Sequence, residues 1–83
     1  IIDSLGWALF KLKKYEESKK YLELAIQYMP SDPTINDHYA DVLWMTKQTI
    51  QARYIWNNVL NFEKTEKKLK KEVEQKLLFG LKI

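Results

Sequence analysis

The chain repeats its own residue pattern at a shift of 34 positions. The shift pairs apolar with apolar and small with small residues: Leu5 with Tyr39, Gly6 with Ala40, Ala8 with Val42, Leu9 with Leu43, Ser18 with Ala52, Tyr21 with Ile55, Leu22 with Trp56, Ala25 with Val59 and Ile26 with Leu60. A second shift carries Tyr39 to Val73 and Leu43 to Leu77. A constant period of this length is typical of helical repeat arrays. We therefore expect a short stack whose middle unit runs from Pro33 to Phe62.

The spacing of apolar residues predicts five helices, at about 2–13, 15–29, 33–46, 49–62 and 65–80. Pro30 should end the second helix, because proline lacks an amide donor. Asp32 and Pro33 suit the cap and first position of the third. We expect Thr65 to cap the last helix, and Gly80 to end it with Leu81 folding back.

The same periodicity predicts which side chains face the core. The expected set is Ile2, Leu5, Ala8, Leu9 and Leu12 in the first helix, Ser18, Tyr21, Leu22, Ala25 and Ile26 in the second, Ile35, Tyr39, Val42 and Leu43 in the third, Ala52, Ile55, Trp56, Val59 and Leu60 in the fourth, and Leu69, Val73, Leu77 and Leu81 at the end. Glycine is unfavourable inside a helix by about 1 kcal/mol relative to alanine. Gly6 therefore indicates a close approach of the next helix.

Composition limits the classes of protein that this chain can belong to. With 83 residues, 46% of them hydrophobic and only two Gly and two Pro, it suits one domain of packed helices. Cysteine is absent, which excludes disulfides and thiolate metal sites. No apolar run reaches the ~18 residues of a membrane span, and no signal-peptide pattern is present.

The net charge of +3 is unevenly distributed. Residues 1–63 hold seven Lys and Arg against eight Asp and Glu, whereas residues 64–83 hold seven Lys against three Glu. The basic character therefore belongs to the last predicted helix.

The start of the chain is expected to be a truncated end. The sequence begins at Ile1 without a methionine and inside a predicted helix, so we expect a fragment of a longer protein. Exposed Ile1, Ile2 and Leu5 at such an end would favour a non-native dimer.

The first repeat contains residues of a known 34-residue motif at their usual spacing: Leu5-Gly6, Ala8, Tyr15, Glu17, Tyr21, Ala25 and Pro30. In these positions the chain resembles the tetratricopeptide repeat (TPR). The second repeat is a weaker match: Ala52 and Trp56 fit, but Tyr39-Ala40 replaces Leu-Gly and Lys64 replaces the proline. Lys13 and Lys47 stand where the hairpin turns usually carry glycine.

This resemblance implies an all-α fold, a right-handed α-solenoid of five helices. Residues 1–32 would be a first TPR hairpin with a truncated start, 33–64 a second, and 65–83 a C-terminal capping helix. The amino-acid sequences at 3–9, 35–44 and 52–56 are similar to the C-terminal end of long bacterial TPR proteins, among them envelope lipoproteins that act as adaptors. The resemblance alone favours the cell envelope over the cytoplasm.

In TPR proteins the first helix of each pair lines a concave groove, which places a candidate partner-binding site here. The residues in question are Asp3, Trp7, Phe10, Lys11, Asp37, Asp41, Trp44, Met45, Lys71, Leu78 and Phe79. The aromatic and apolar members would anchor a peptide or partner helix. The alternative is that they close the groove internally or pack on upstream repeats. Asp37 would either meet a cationic partner group or pair with Lys71.

No grouping of residues favours an enzyme. His38, with Asp37 and Asp41 nearby, is an incomplete ligand or acid–base set. We therefore expect no catalytic residue, no metal, no cofactor and no small-molecule substrate.

Three functions stay open from the sequence. The favoured one is a protein–protein interaction module, an adaptor or scaffold that binds a protein or peptide partner. The second is a structural cap of a longer TPR array, with binding done elsewhere. The least favoured is binding of an anionic polymer, nucleic acid or lipid, by Lys67, Lys68, Lys70 and Lys71, because Glu66, Glu72 and Glu74 are interleaved with these lysines.

Overall fold

The computed structural model describes residues 2–82, and within them it contains five helices and no strand. The helices are α1 (Ile2–Lys11), α2 (Tyr15–Tyr28), α3 (Pro33–Met45), α4 (Thr49–Asn61) and α5 (Lys67–Phe79). Each helix packs mainly on its neighbours in sequence. The all-helical prediction with five helices is confirmed. Ile1 lies outside the described residues, so nothing follows about its part in a dimer.

None of the helices described is both long enough and apolar enough to cross a membrane.

The turns within the two hairpins have the same backbone geometry. Lys13 and Lys47 both adopt positive φ, 63° and 67°. The following amide closes each turn: that of Lys14 donates to the Leu9 carbonyl at 2.9 Å, and that of Gln48 donates to the Leu43 carbonyl at 2.8 Å. A left-handed conformation costs a non-glycine residue about 1–2 kcal/mol. The period of the sequence is therefore also present in the backbone, without the glycine that such turns prefer.

The signals that begin and end α3 and α5 are partly confirmed. The Asp32 side chain accepts a hydrogen bond from the Ile35 amide at 3.0 Å, so Asp32 caps α3 as predicted. Gly80 ends α5 with φ 76°. The prediction for Thr65 is wrong: its hydroxyl donates to the Val59 carbonyl at 2.6 Å and holds the end of α4 instead.

The core consists of two clusters of buried side chains. The larger lies between α3, α4 and α5 and contains Ala40, Leu43, Ala52, Trp56, Val59 and Val73. The smaller joins α1, α2 and α3 through Phe10, Leu22 and Val42. Leu81 packs against both clusters, which confirms that the chain folds back after Gly80.

The predicted core face of α1 is wrong in part. Leu5 and Leu12 are 46% and 66% exposed and Ala8 is exposed, whereas the buried residues of α1 are Gly6 and Phe10. The physical reason is that α2 and α3 cover the Gly6 and Phe10 side, and no described helix covers the other. Tyr21 on α2 is exposed for the same reason.

Gly6 does mark a close approach of helices. A Cβ at this position would lie 2.8 Å from the Leu22 Cγ atom. The Ser18 hydroxyl donates to the Gly6 carbonyl at 2.6 Å, and both residues are buried. The backbone of α1 at Gly6 therefore packs directly against side chains of α2.

Candidate partner-binding surface

Side-chain contacts join α1 and α3, the first helices of the two predicted hairpins, and also join α3 to α5. The Trp7 ring on α1 stacks on the His38 ring of α3, with centroids 3.8 Å apart and planes 6° apart. Lys76 on α5 binds Asp37 and Asp41 on α3. Three residues of the predicted site, Trp7, Asp37 and Asp41, take part in these contacts.

A charged cluster joins α3 to α5. The Lys76 ammonium is 2.9 Å from Oδ1 of both Asp37 and Asp41. The Trp56 indole Nε1 donates to the same Asp41 oxygen at 3.3 Å. Lys76 Nζ also lies 5.7 Å from the Trp56 ring centroid, within the range of a cation–π contact. Asp37 and Asp41 are one helical turn apart, so one ammonium reaches both.

Burial and like charge dominate the electrostatics of this cluster. Burial raises the pKa of Asp41 to about 7, the charge of Asp37 adds to the rise, and the Lys76 and Trp56 contacts oppose it. Burial alone would lower the pKa of Lys76, but Asp41 and Asp37 outweigh it and leave that pKa above its ordinary value. The cluster therefore holds a proton near neutral pH more readily than an isolated aspartate would.

The expected pairing of Asp37 with Lys71 is wrong. Lys71 is exposed, and the ion pair with Asp37 is formed by Lys76 instead. A signal for Lys76 was present, because it lies three residues after Val73 and seven after Leu69, on the inner side of α5. Asp37 and Asp41 are both buried under Lys76, so these two residues of the predicted partner-binding site face an internal cation.

Two of the four aromatic residues of the predicted site, Phe10 and Trp44, pack internally. Phe10 is only 8% exposed and stacks on Trp7, with ring centroids 4.6 Å apart. Trp44 lies 5.5 Å from Trp56, and Gly80 packs so close to Trp44 that a Cβ would meet its ring at 2.5 Å. The alternative that these rings close the groove therefore holds for Phe10 and Trp44.

Other predicted site residues stay accessible to a partner. Leu78 and Phe79 are 72% and 62% exposed, and Lys11 and Lys71 are exposed as well. Trp7 and Met45 are half-buried. Asp3, also half-buried, lines a shallow cleft of about 280 Å³ together with Tyr28 and Ile35.

His38 is held as a packing residue. Its Nδ1 atom is buried and has no hydrogen-bond partner, and one face of its ring is covered by Trp7. Burial lowers the pKa of His38, so the ring is neutral at pH 7. Among residues 2–82, no three His, Asp or Glu side chains converge in a way that would hold a metal ion.

Two further clefts border the ends of the helices. One of about 680 Å³ lies between the loop after α2 and the loop after α4, lined by Tyr28, Met29, Pro30, Ser31, Asp32, Pro33, Asn61, Phe62, Glu63 and Lys64. A smaller one of about 260 Å³ lies at the end of α5, between Phe79 and Leu81. Neither cleft is predicted by the sequence, because clefts between loops depend on how the hairpins stack.

Comparison with known proteins adds no relative: no family model, no curated protein and no solved structure matches this chain.

Proposed function

We propose that this chain is a protein–protein interaction module of TPR-like architecture, two stacked hairpins of a right-handed solenoid closed by α5. The equivalent turns at Lys13 and Lys47 support the repeat architecture, as does the burial of paired positions such as Leu22 and Trp56. In this proposal the chain acts as an adaptor or scaffold that binds a protein or peptide partner.

One observation carries the interaction function. Leu78 and Phe79 are adjacent, large, apolar and mostly exposed, on the helix that completes the core. Apolar groups that face solvent together contribute to binding when a partner removes them from water. Among the other accessible members of the predicted site, Trp7 lies on α1, Met45 on α3 and Lys71 on α5.

The test is a pull-down with the 83-residue chain as bait. We compare wild type with the double variant Leu78→Ser, Phe79→Ser and with a matched control, Ile50→Ser, Tyr54→Ser, which alters two exposed apolar residues of α4. Circular dichroism checks that all three fold. Loss of a partner in the first variant alone is expected. Equal recovery by all three proteins would contradict the proposal.

A second candidate is a structural unit in a longer array, with binding done elsewhere. It is favoured by the exposed apolar residues Leu5 on α1, Leu12 directly after α1 and Leu24 on α2. The positions 34 residues later, Tyr39, Thr46 and Asn58, are half-buried. An additional hairpin stacked on α1 and α2 would cover Leu5, Leu12 and Leu24, in the same way as α2 packs on α3.

Sedimentation of wild type and of Leu5→Lys, Leu24→Lys tests the second candidate. An uncovered stacking face predicts concentration-dependent self-association of the wild type that the variant lacks. A wild type that stays monomeric at high concentration would argue against it.

A further inference from the structure

The outer side of α5 carries two kinds of exposed residue, separated along its length. Lys67, Lys68 and Lys71 lie in its first turns, and Leu78 and Phe79 lie in its last. At 100° per residue, these five project away from the inner side formed by Leu69, Val73, Lys76 and Leu77. The helix therefore presents a basic half and an apolar half to the same region of solvent.

The basic half is available to a partner. Among the described residues, Lys67, Lys68 and Lys71 form no ion pair, whereas Lys76 of the same helix is engaged with Asp37 and Asp41. Exposed lysines that lack a carboxylate partner can bind an external anion without first breaking an internal contact. The internal charges of the protein thus leave these three cations unneutralised.

The apolar half includes a place for a side chain. A cleft of about 260 Å³ is lined by Gln75, Lys76, Phe79, Gly80, Leu81 and Lys82. Lys82 Nζ lies 5.3 Å from the Phe79 ring centroid, so a cation also borders this end. The cleft, with exposed Phe79 at its edge, suits an apolar side chain.

We infer that the outer side of α5 docks an acidic segment of another protein that carries one apolar anchor residue. The anchor would occupy the cleft beside Phe79, and the acidic side chains would lie along Lys71, Lys68 and Lys67. This inference rests on the proposed interaction function, and names the partner chemistry for the Leu78 and Phe79 surface.

Helix geometry fixes the spacing of the recognised segment. With a rise of about 1.5 Å per residue, Phe79 lies about 12 Å from Lys71 and about 18 Å from Lys67 along the axis. An extended partner advances about 3.3 Å per residue. Its acidic residues should therefore stand about four to six positions from the anchor.

The interleaved glutamates favour a peptide over a uniform anion. Glu72 and Glu74 are exposed among the lysines. A nucleic acid backbone or an anionic lipid surface presents negative charge continuously, and would be repelled at these two positions. A peptide can place carboxylates opposite the lysines and neutral residues opposite the glutamates.

The probe is a labelled ten-residue peptide of Ser with Leu at one end and Glu four, five and six positions away, used in both chain directions. Fluorescence anisotropy at low salt measures its binding to the full chain. We expect a dissociation constant below about 1 mM for one direction. Replacing its Leu by Ser, or introducing Leu78→Ser, Phe79→Ser, should weaken binding at least about 5-fold, and raised salt should weaken it as well.

The charge-reversal variant Lys67→Glu, Lys71→Glu should weaken binding at least about 10-fold. The matched control Lys14→Glu, Lys20→Glu makes the same change in net charge at exposed positions outside α5, and should bind nearly as well as wild type. Circular dichroism confirms folding of each variant. Equal weakening in the control would overturn the inference, because it would show attraction to net charge alone.

Two other ligands decide against the inference if they bind better. These are a ten-nucleotide single-stranded DNA and vesicles with one third phosphatidylserine. Tighter binding of either than of both peptides would replace the acidic segment by that class of anion. If no peptide binds but the pull-down still loses its partner with Leu78→Ser, Phe79→Ser, the partner chemistry is wrong and the interaction function stands.

Discussion

The two hairpins share one turn geometry but fill the space between their helices differently. In the first, Gly6 leaves room for Leu22, and the Ser18 hydroxyl binds the Gly6 carbonyl. In the second, the equivalent positions are Ala40, Ala52 and Trp56, all with 0% exposure. The first hairpin thus combines glycine with leucine, and the second combines alanine with tryptophan.

The two hairpins also differ in which helices pack on them. Trp56 reaches Asp41 through its indole nitrogen, and Asp41 with Asp37 holds Lys76 of α5. The second hairpin is therefore covered by α2 on one side and α5 on the other. The first has one covered side and one with exposed apolar residues. A repeat thus fixes helices and turns, while individual side chains decide which neighbour is bound.

The largest effect is expected from Trp56→Ala. Removing a fully buried tryptophan leaves a cavity and should cost about 3–5 kcal/mol of unfolding free energy. It also removes a hydrogen-bond donor from Asp41. Leu22→Ala, the matched change in the first hairpin, should cost about 2–5 kcal/mol. Urea unfolding followed by circular dichroism compares them, and a larger loss for Leu22→Ala would reverse the comparison.

The next largest loss of stability is expected from breaking the charged cluster of Asp37, Asp41 and Lys76. Lys76→Met removes the only cation bound to Asp37 and Asp41 among the described residues and leaves two carboxylates buried together. Breaking a buried ion pair in this way costs about 3–5 kcal/mol. The exposed Lys71→Met is the control and should change stability by less than about 0.5 kcal/mol. Similar losses for both variants would show that the cluster does not hold α5.

The pH dependence of stability isolates Asp41. Its pKa is raised in the folded protein to about 7, from an ordinary value of 3.8. The folded chain therefore binds a proton that the unfolded chain has released, and this contribution is full below about pH 4 and lost as the pH rises through 7.

We expect wild type to lose stability relative to Asp41→Asn between pH 4 and pH 7, by at most about 1.4 kcal/mol per pH unit. Burial lowers the pKa of His38, which acts in the opposite direction. Because both proteins contain His38, its contribution largely cancels in the difference. Chemical denaturation at several pH values measures it, and a difference independent of pH would refute the raised pKa.

A smaller effect tests the close approach in the first hairpin. Gly6→Ala places a Cβ 2.8 Å from Leu22 Cγ and should cost about 1–3 kcal/mol despite alanine's better helix propensity. Ala40→Gly, the reciprocal change in the second hairpin, should cost about 1 kcal/mol. The double variant Gly6→Ala, Leu22→Ala should lose less stability than the sum of its single changes, which thermal unfolding can measure. Simple additivity would show that Leu22 relaxes at no cost.

The sequence was sufficient for features that depend on neighbouring residues. Asp32 caps α3 through its own side chain, and Pro33 and Gly80 act through their backbone conformation, so the start of α3 and the end of α5 followed from these residues. The close approach at Gly6 followed from the energetic cost of glycine in a helix. Thr65 does not cap α5, because its hydroxyl donates a hydrogen bond to the Val59 carbonyl, six residues earlier on α4.

Features that depend on packing between helices were harder to predict. The shift of 34 makes Gln75 the equivalent of Asp41, so the repeat alone does not predict that Asp41 binds Lys76 of α5. An apolar stripe gives a helix its inner side only if a neighbour covers that side. Leu5 and Leu12 have the right spacing, but α2 and α3 pack on Gly6 and Phe10 instead.

Native-state hydrogen exchange tests the difference between the two hairpins most directly. Amides in α3 and α4, which have helices packed on both sides, should exchange only through global unfolding. Amides in α1, with one side uncovered, should exchange through smaller openings and show lower protection. In Lys76→Met, protection should fall first in α5. Equal protection across all five helices, or the highest protection in α1, would contradict a structure organised around the second hairpin.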